Sequence, residues 1–230
     1  MFSLSPTTVI DPNAASRLAG VLGSLLLVGW VCAQGLTFSA ALLDWMDRQY
    51  GSEARQRVVA LQRLVEQGDS LDEQSKLAGV NRFFNRVRYN SDYALWDEKD
   101  YWATPFEVLG INSADCEDYA IAKYFTLLTM GVAEERLRIT YVKSLTLNEA
   151  HMVLAYYPAA DAEPLILDNL NKAILPAAAR TDLVPVYSFN GADLWLAVNR
   201  LEDKRVGESD RISRWRAYQA KLMRQMGVSE

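Results

Sequence analysis

The chain has 230 residues, 50% of them hydrophobic and 23% charged, with a net charge of −5 and a pI near 5.1. That acidic balance excludes the basic footprint of a nucleic-acid-binding protein. Six Trp, 11 Tyr and 7 Phe exclude an acidic disordered chain, and the length suits one domain with appendages.

Residues 18–35 read LAGVLGSLLLVGWVCAQG and carry no charge. Arg17 precedes the run, and Asp44 is the first charge after it. A positively flanked apolar core followed by Val31-Cys32-Ala33 predicts an export signal cleaved after Ala33. The run is also just long enough for an uncleaved membrane anchor, and a buried core helix is the third reading. The bulky Trp30 fits a lipoprotein box poorly. The predicted division is therefore 1–33 as signal peptide or anchor and 34–230 as the domain.

From Ala40 to Val65 apolar residues recur at helical spacing, interrupted at Gly51-Ser52, which predicts two helices. Arg55 and Arg57 fall on the predicted wet face of the second. Gly68 is a candidate C-cap. Ser70 and Glu73 form a capping-box pattern for a third helix carrying Leu71, Leu77, Val80, Phe83, Phe84 and Val87. Residues 90–105 read as a loop rich in aromatics and acids, either packed on the core or forming a wall of a groove.

Asp115 is a good N-cap residue for a largely apolar helix that Gly131 ends. Cys116 then lies in its first turn. There the free backbone N–H groups and the helix dipole stabilise a thiolate, and the same groups can donate to the oxyanion of a tetrahedral intermediate. Asp115, Glu117 and Asp118 act in the other direction. They raise the thiol pKa unless a cation, a basic side chain or a metal neutralises them.

The period then changes to alternation. Strands are predicted at 137–144, with Leu137, Ile139 and Tyr141 on one face, and at 150–157, 164–168, 184–189 and 194–198, as an antiparallel meander. Residues 200–205 read as a charged loop. Residues 209–226 read as a basic amphipathic helix with Ile212, Trp215, Tyr218 and Leu222 inward.

The chain has two cysteines and one histidine, His151. If Cys32 leaves with the signal, Cys116 has no disulfide partner, and an unpaired thiol in an oxidising compartment is unusual unless used. His151 begins one predicted strand and Asp168 ends the next, so a hairpin can bring them side by side. Cysteine, histidine and aspartate in those places make a nucleophile, a base and an orienter. Asn169 and Asn171 are alternative orienters.

Asp-Cys-Glu-Asp-Tyr-Ala at 115–120, His-Met-Val-Leu at 151–154 and Leu-Asp-Asn at 167–169 resemble the bacterial transglutaminase-like cysteine proteinases. The segments 80–85 (VNRFFN) and 100–105 (DYWATP) are similar to that family too, and the resemblance runs from about Trp45 to Val198. It implies an α+β, papain-like or transglutaminase-like core with N-terminal helices packed on an antiparallel sheet. It implies Cys116, His151 and Asp168 as catalytic triad and Ca²⁺ held by Asp115, Glu117 and Asp118, with Asp115 alternatively acting only as the cap. Clustered carboxylates suit that ion. The implied function is a calcium-dependent cysteine endopeptidase in the periplasm. It would cleave the N-terminal region of a large surface adhesin and so regulate biofilm attachment. Its implied regulator is an inner-membrane receptor for cyclic di-GMP, which binds the nucleotide on the cytoplasmic side. Trp96 and Trp102 are candidate contact residues, expected to be exposed near the cleft. Transglutaminase-type acyl transfer and a non-catalytic protein-binding domain are the alternatives.

Overall fold

The structure is a computed structural model and describes residues 38–199 and 201–227. The predicted signal or anchor, 1–33, and Cys32 lie outside the described residues. Among those described, no helix is long and apolar enough to cross a membrane.

Helices α1 (Ala40–Tyr50) and α2 (Ser52–Glu66) are separated by Gly51, whose φ of 87° lies in the left-handed region that favours glycine. Helix α3 (Glu73–Phe84) is capped by Asp72, whose side chain accepts from Ser75 N at 2.7 Å. Asp72, not Ser70, therefore starts it. Gly68 is not a cap either. It is buried in a 3₁₀ turn against Met130, where an added Cβ would lie a tight 3.1 Å from the Met130 side chain. Arg57 also departs from expectation. It turns inward and donates to the carbonyls of Leu109 and Gly110 at 2.6 and 2.9 Å.

The aromatic segment 90–105 is not all loop: it holds the short helix α4 (Asp92–Trp96) and leads into α5 (Pro105–Ile111). A short parallel pair, β1 (Arg88–Tyr89) with β2 (Ser113–Ala114), flanks it. Pro105 opens α5 behind a capping box. Thr104 Oγ1 accepts from Glu107 N at 3.2 Å, and the Glu107 carboxylate accepts from Thr104 N at 2.8 Å.

Helix α6 (Cys116–Thr129) runs through the centre, with Ile121, Ala122 and Leu127 fully buried. It packs on the sheet through β4 (Glu149–Tyr156) and β3 (Leu137–Ser144), and α3 lies against it. The remaining strands are β5 (Leu165–Leu167), β6 (Leu175–Pro176), β7 (Leu183–Phe189), β8 (Asp193–Ala197) and β9 (Asp203–Glu208). Their order in the sheet is β6-β5-β4-β3-β7-β8-β9, all antiparallel. This corrects the meander. The chain winds outward from β3 to β6, then returns so that β7 pairs with the free side of β3. Part of the predicted charged loop is the edge strand β9, whose charges suit an edge exposed to solvent.

Leu137, Ile139 and Tyr141 do share a face and join Met152, Leu154, Leu167 and Phe189 under the helices. Val142, Val153, Ala155, Ile166 and Leu183 form a second, smaller cluster. Burial on both faces explains why β4 reads as a continuous apolar run. The last helix, α7 (Ser213–Gln225), sets Trp215 among Phe125, Phe189 and Tyr218 with ring centroids 5.2–5.7 Å apart. Its Lys221 Nζ donates to the carboxylate of Glu107 at 2.9 Å, tying it to α5.

Candidate active site and acidic cluster

Asp115 is the N-cap of α6, and its backbone N–H donates to Asp118 Oδ2 at 3.4 Å. Cys116 is therefore the first residue of the helix. Its Sγ lies 3.1 Å from Glu117 Oε2, and the backbone N–H of Met152 reaches the same sulfur. That amide belongs to the residue after His151, so the thiol lies beside the start of β4. Burial, and then the charges of Glu117 and Asp115, push the thiol pKa far above its ordinary value.

His151 Nε2 lies 2.8 Å from Asp168 Oδ1, and both side chains are buried. Asp168 Oδ1 also accepts from Leu170 N at 3.0 Å, and Oδ2 accepts from Arg180 Nη2 at 2.7 Å. Burial alone would raise this carboxyl. The hydrogen bond and charge of His151, then Leu170 and Arg180, outweigh it and bring the pKa down to about 2. Of the three candidate orienters, Asp168 is the one that meets His151. Asn171 Oδ1 instead accepts from Ala173 N at 3.1 Å, and Asn169 Oδ1 is buried with no partner among the described residues. Asn85, at the end of α3, donates to the Asp168 carbonyl at 2.8 Å, and Asn81 donates to the Lys172 carbonyl at 3.0 Å. The asparagines of the 80–85 segment thus tether the loop that carries Asp168.

The carboxylates around the cysteine form two overlapping groups, Asp92 with Asp115 and Asp118, and Asp92 with Asp100 and Glu117. In each, one oxygen per residue lies within 4.8 Å of the others. The first group is the more buried. Asp118 Oδ1 accepts from Ala103 N and Asp92 Oδ2 from Tyr101 N, both at 2.6 Å. Asp92 Oδ1 and Asp115 Oδ1 are buried with no hydrogen-bond partner among the described residues. Desolvation, then the neighbouring carboxylates, push Asp115 up to about 10 and Asp118 well above the carboxylate range. Desolvation raises Asp92 to about 6. Orphaned buried oxygens in an all-carboxylate set fit a hard divalent cation such as Ca²⁺. Asp115, Glu117 and Asp118 all belong to the two groups. Asp92 and Asp100 are additions from the aromatic segment, whose surplus of acids beside an acidic motif was the available signal.

Trp102 is not exposed. Its ring stacks on Phe189 at 5.9 Å between centroids, and Nε1 donates to Asp100 Oδ1 at 2.9 Å. Trp96 is half-buried against Tyr101. The exposed aromatics here are Tyr89 and Tyr93.

A thiol at a helix start, beside a strand whose histidine is paired with an aspartate, is the arrangement of a thiol nucleophile near an imidazole–carboxylate pair. The model of the bacterial transglutaminase-like cysteine proteinases (BTLCP) matches residues 48–202. Among solved structures, Legionella pneumophila LapG matches with 42% identity and a TM-score of 0.69, over 81% of this chain and 94% of that one. The EGTA-treated form of that protein matches with 43% identity and a TM-score of 0.69, over 81% and 96% of the two chains. Its calcium-bound form matches with 42% identity and a TM-score of 0.69, over 78% and 97%. No curated protein sequence matches the chain. This chain belongs to the bacterial transglutaminase-like cysteine proteinase family.

Proposed function

We propose that this chain is a calcium-dependent cysteine endopeptidase with Cys116, His151 and Asp168 as its triad. The observation that carries the reading is the buried His151–Asp168 pair on the strand whose next amide reaches the Cys116 sulfur. Because Nε2 faces Asp168, Nδ1 is the nitrogen left to take the thiol proton. The sulfur then attacks the scissile carbonyl carbon. The free N–H groups of the first turn of α6 stabilise the oxyanion that forms. His151 returns its proton to the leaving amine as the C–N bond breaks. A water, deprotonated by the same imidazole, hydrolyses the thioester and frees the thiol. Asp168 holds the imidazole tautomer and balances its positive charge.

Asp115, Glu117 and Asp118, with Asp92 and Asp100, would hold the ion. Bound calcium would offset the negative charge that suppresses thiol ionisation. The calcium-bound and EGTA-treated forms of LapG support this assignment at 42–43% identity. The biological setting proposed is export to the periplasm by the 1–33 segment, cleaved or retained as an anchor. The proposed substrate is the N-terminal region of a large surface adhesin, released from the cell surface on cleavage. The proposed regulator is an inner-membrane cyclic di-GMP receptor that sequesters the protease. Family membership supports this setting.

The test incubates the purified protein with the N-terminal region of a candidate adhesin, with calcium or with EGTA. Discrete fragments with calcium, lost in EGTA and in Cys116→Ala, are expected. Fragments that persist in Cys116→Ala would overturn the protease reading. Cleavage unaffected by EGTA would overturn the calcium dependence alone.

A further inference from the structure

Asp168 has two carboxylate oxygens, and each has its own partner. Oδ1 takes His151 Nε2 and Leu170 N, and Oδ2 takes Arg180 Nη2. Arg180 is 2% exposed and follows the 3₁₀ turn after β6, outside every motif recognised in the sequence. Its guanidinium is anchored in turn. Nε donates to Asp182 Oδ1 at 2.9 Å and Nη2 to Asp182 Oδ2 at 2.7 Å. A planar fork held on Asp182 therefore meets the carboxylate that meets the imidazole.

We infer that Arg180 is a positioning residue for the proposed hydrolysis: it clamps the second oxygen of Asp168 and thereby fixes the orientation and tautomer of His151. The inference rests on the triad reading.

The carboxylate needs both restraints. With Oδ2 unbonded, the group could turn about its terminal bond, which has no sharp rotamer preference. The imidazole would then lose a fixed acceptor. An unpaired buried carboxylate oxygen is also costly. Arg180 is suited to the task because its fork is rigid and always charged.

The other cations facing Asp168 are weaker candidates. Lys123, on α6, is fully buried with no hydrogen-bond partner for Nζ among the described residues, and burial lowers its pKa to about 7 despite the Asp168 charge. It cannot hold a full charge through neutral pH. His151 is the group being oriented. Arg180 is the one permanent cation of the three, and among the described residues Asp182 is the other carboxylate facing it.

The experiment uses the single histidine, because a tag without histidine leaves His151 as the only imidazole in the spectrum. Long-range ¹H–¹⁵N spectra of the full chain are recorded in a Cys116→Ala background, with and without Arg180→Met. The background protein is expected to show one neutral tautomer, protonated on Nε2. Arg180→Met is expected to give averaged nitrogen shifts from mixed tautomers. In the active chain, the same change is expected to lower kcat about 10- to 100-fold, the scale of a small misplacement of a catalytic group. KM should stay within about twofold, because substrate contacts are untouched. Arg180→Lys should recover part of kcat.

An unchanged tautomer in folded Arg180→Met overturns the inference, even if activity falls, because Arg180 would then only stabilise the fold. If Arg180→Met does not fold, Asp182→Ala releases the guanidinium from its half-exposed anchor. It should shift the tautomer in the same direction, and no shift overturns the inference. Failure of the unmodified chain to cleave any adhesin would instead overturn the protease reading, while the spectra still decide on Arg180.

Discussion

Replacing Asp115 with Asn should stabilise the calcium-free chain while removing its response to calcium. Asp92, Asp115 and Asp118 present oxygens within 4.8 Å of each other. Two full charges at that spacing repel by about 3 kcal/mol at an effective dielectric of about 20. Burial and the neighbouring carboxylates raise the Asp115 pKa from 3.8 to about 10, which favours its protonated form. Holding that proton at pH 7 costs about 4 kcal/mol. The raised pKa sets the sign. The cost is absent below about pH 4, where the unfolded chain is protonated too, and it grows as pH rises towards neutrality. Asn is nearly isosteric, caps a helix as well as Asp and carries no charge to suppress. Its calcium-free form should therefore exceed the parent by up to about 4 kcal/mol. In the parent, calcium at 100 times its Kd should add about 2.7 kcal/mol. That corresponds to roughly 5–10 °C in Tm for a domain of this size. Thermal unfolding at pH 7 in EGTA and in calcium measures both effects. If the parent Tm ignores calcium, or Asn lowers Tm equally in both buffers, the charge argument is wrong and Asp115 is only a helix cap.

Three further predictions concern the scaffold and the triad. The pKa of Asp168 is lowered to about 2. It therefore contributes about 2 kcal/mol above pH 4, lost as pH falls from about 4 towards 2. Asp168→Asn should be less stable than the parent at pH 6, and the gap should narrow by pH 3 in urea unfolding. Arg57→Met leaves the Leu109 and Gly110 carbonyls without their charged donor. It should cost about 2 kcal/mol in urea unfolding. Trp215 is fully buried among four other aromatic rings, those of Tyr124, Phe125, Phe189 and Tyr218. Trp215→Ala should cost about 3–5 kcal/mol, and retention of the parent Tm would show that α7 does not pack as described.

Much of the site was legible because its signals are local. A capping residue before an apolar run sets the start of α6 and hence the place of Cys116. A single histidine near the start of a strand leaves one candidate base. The faces of β3 follow from its period of two. Other features depend on partners far along the chain. Arg57 lies on a polar helix face by periodicity, yet its hydrogen bonds are with residues 109 and 110. Trp102 sits among acids in sequence and stacks on Phe189 in space.

By itself, the sequence determined the long helices and the strands β3, β4, β5, β7 and β8, the apolar face of β3, and which thiol, imidazole and carboxylate are available. These follow from capping, periodicity and the small number of reactive residues. Only the tertiary structure decided that β7 returns to the free side of β3, because either edge of the early strands offers the same hydrogen bonds. It alone brought Asp92 and Asp100 to the acids beside Cys116 and set Arg180 against Asp168. A carboxylate's field depends on which charges reach it through the fold, and neither periodicity nor spacing along the chain records that distance.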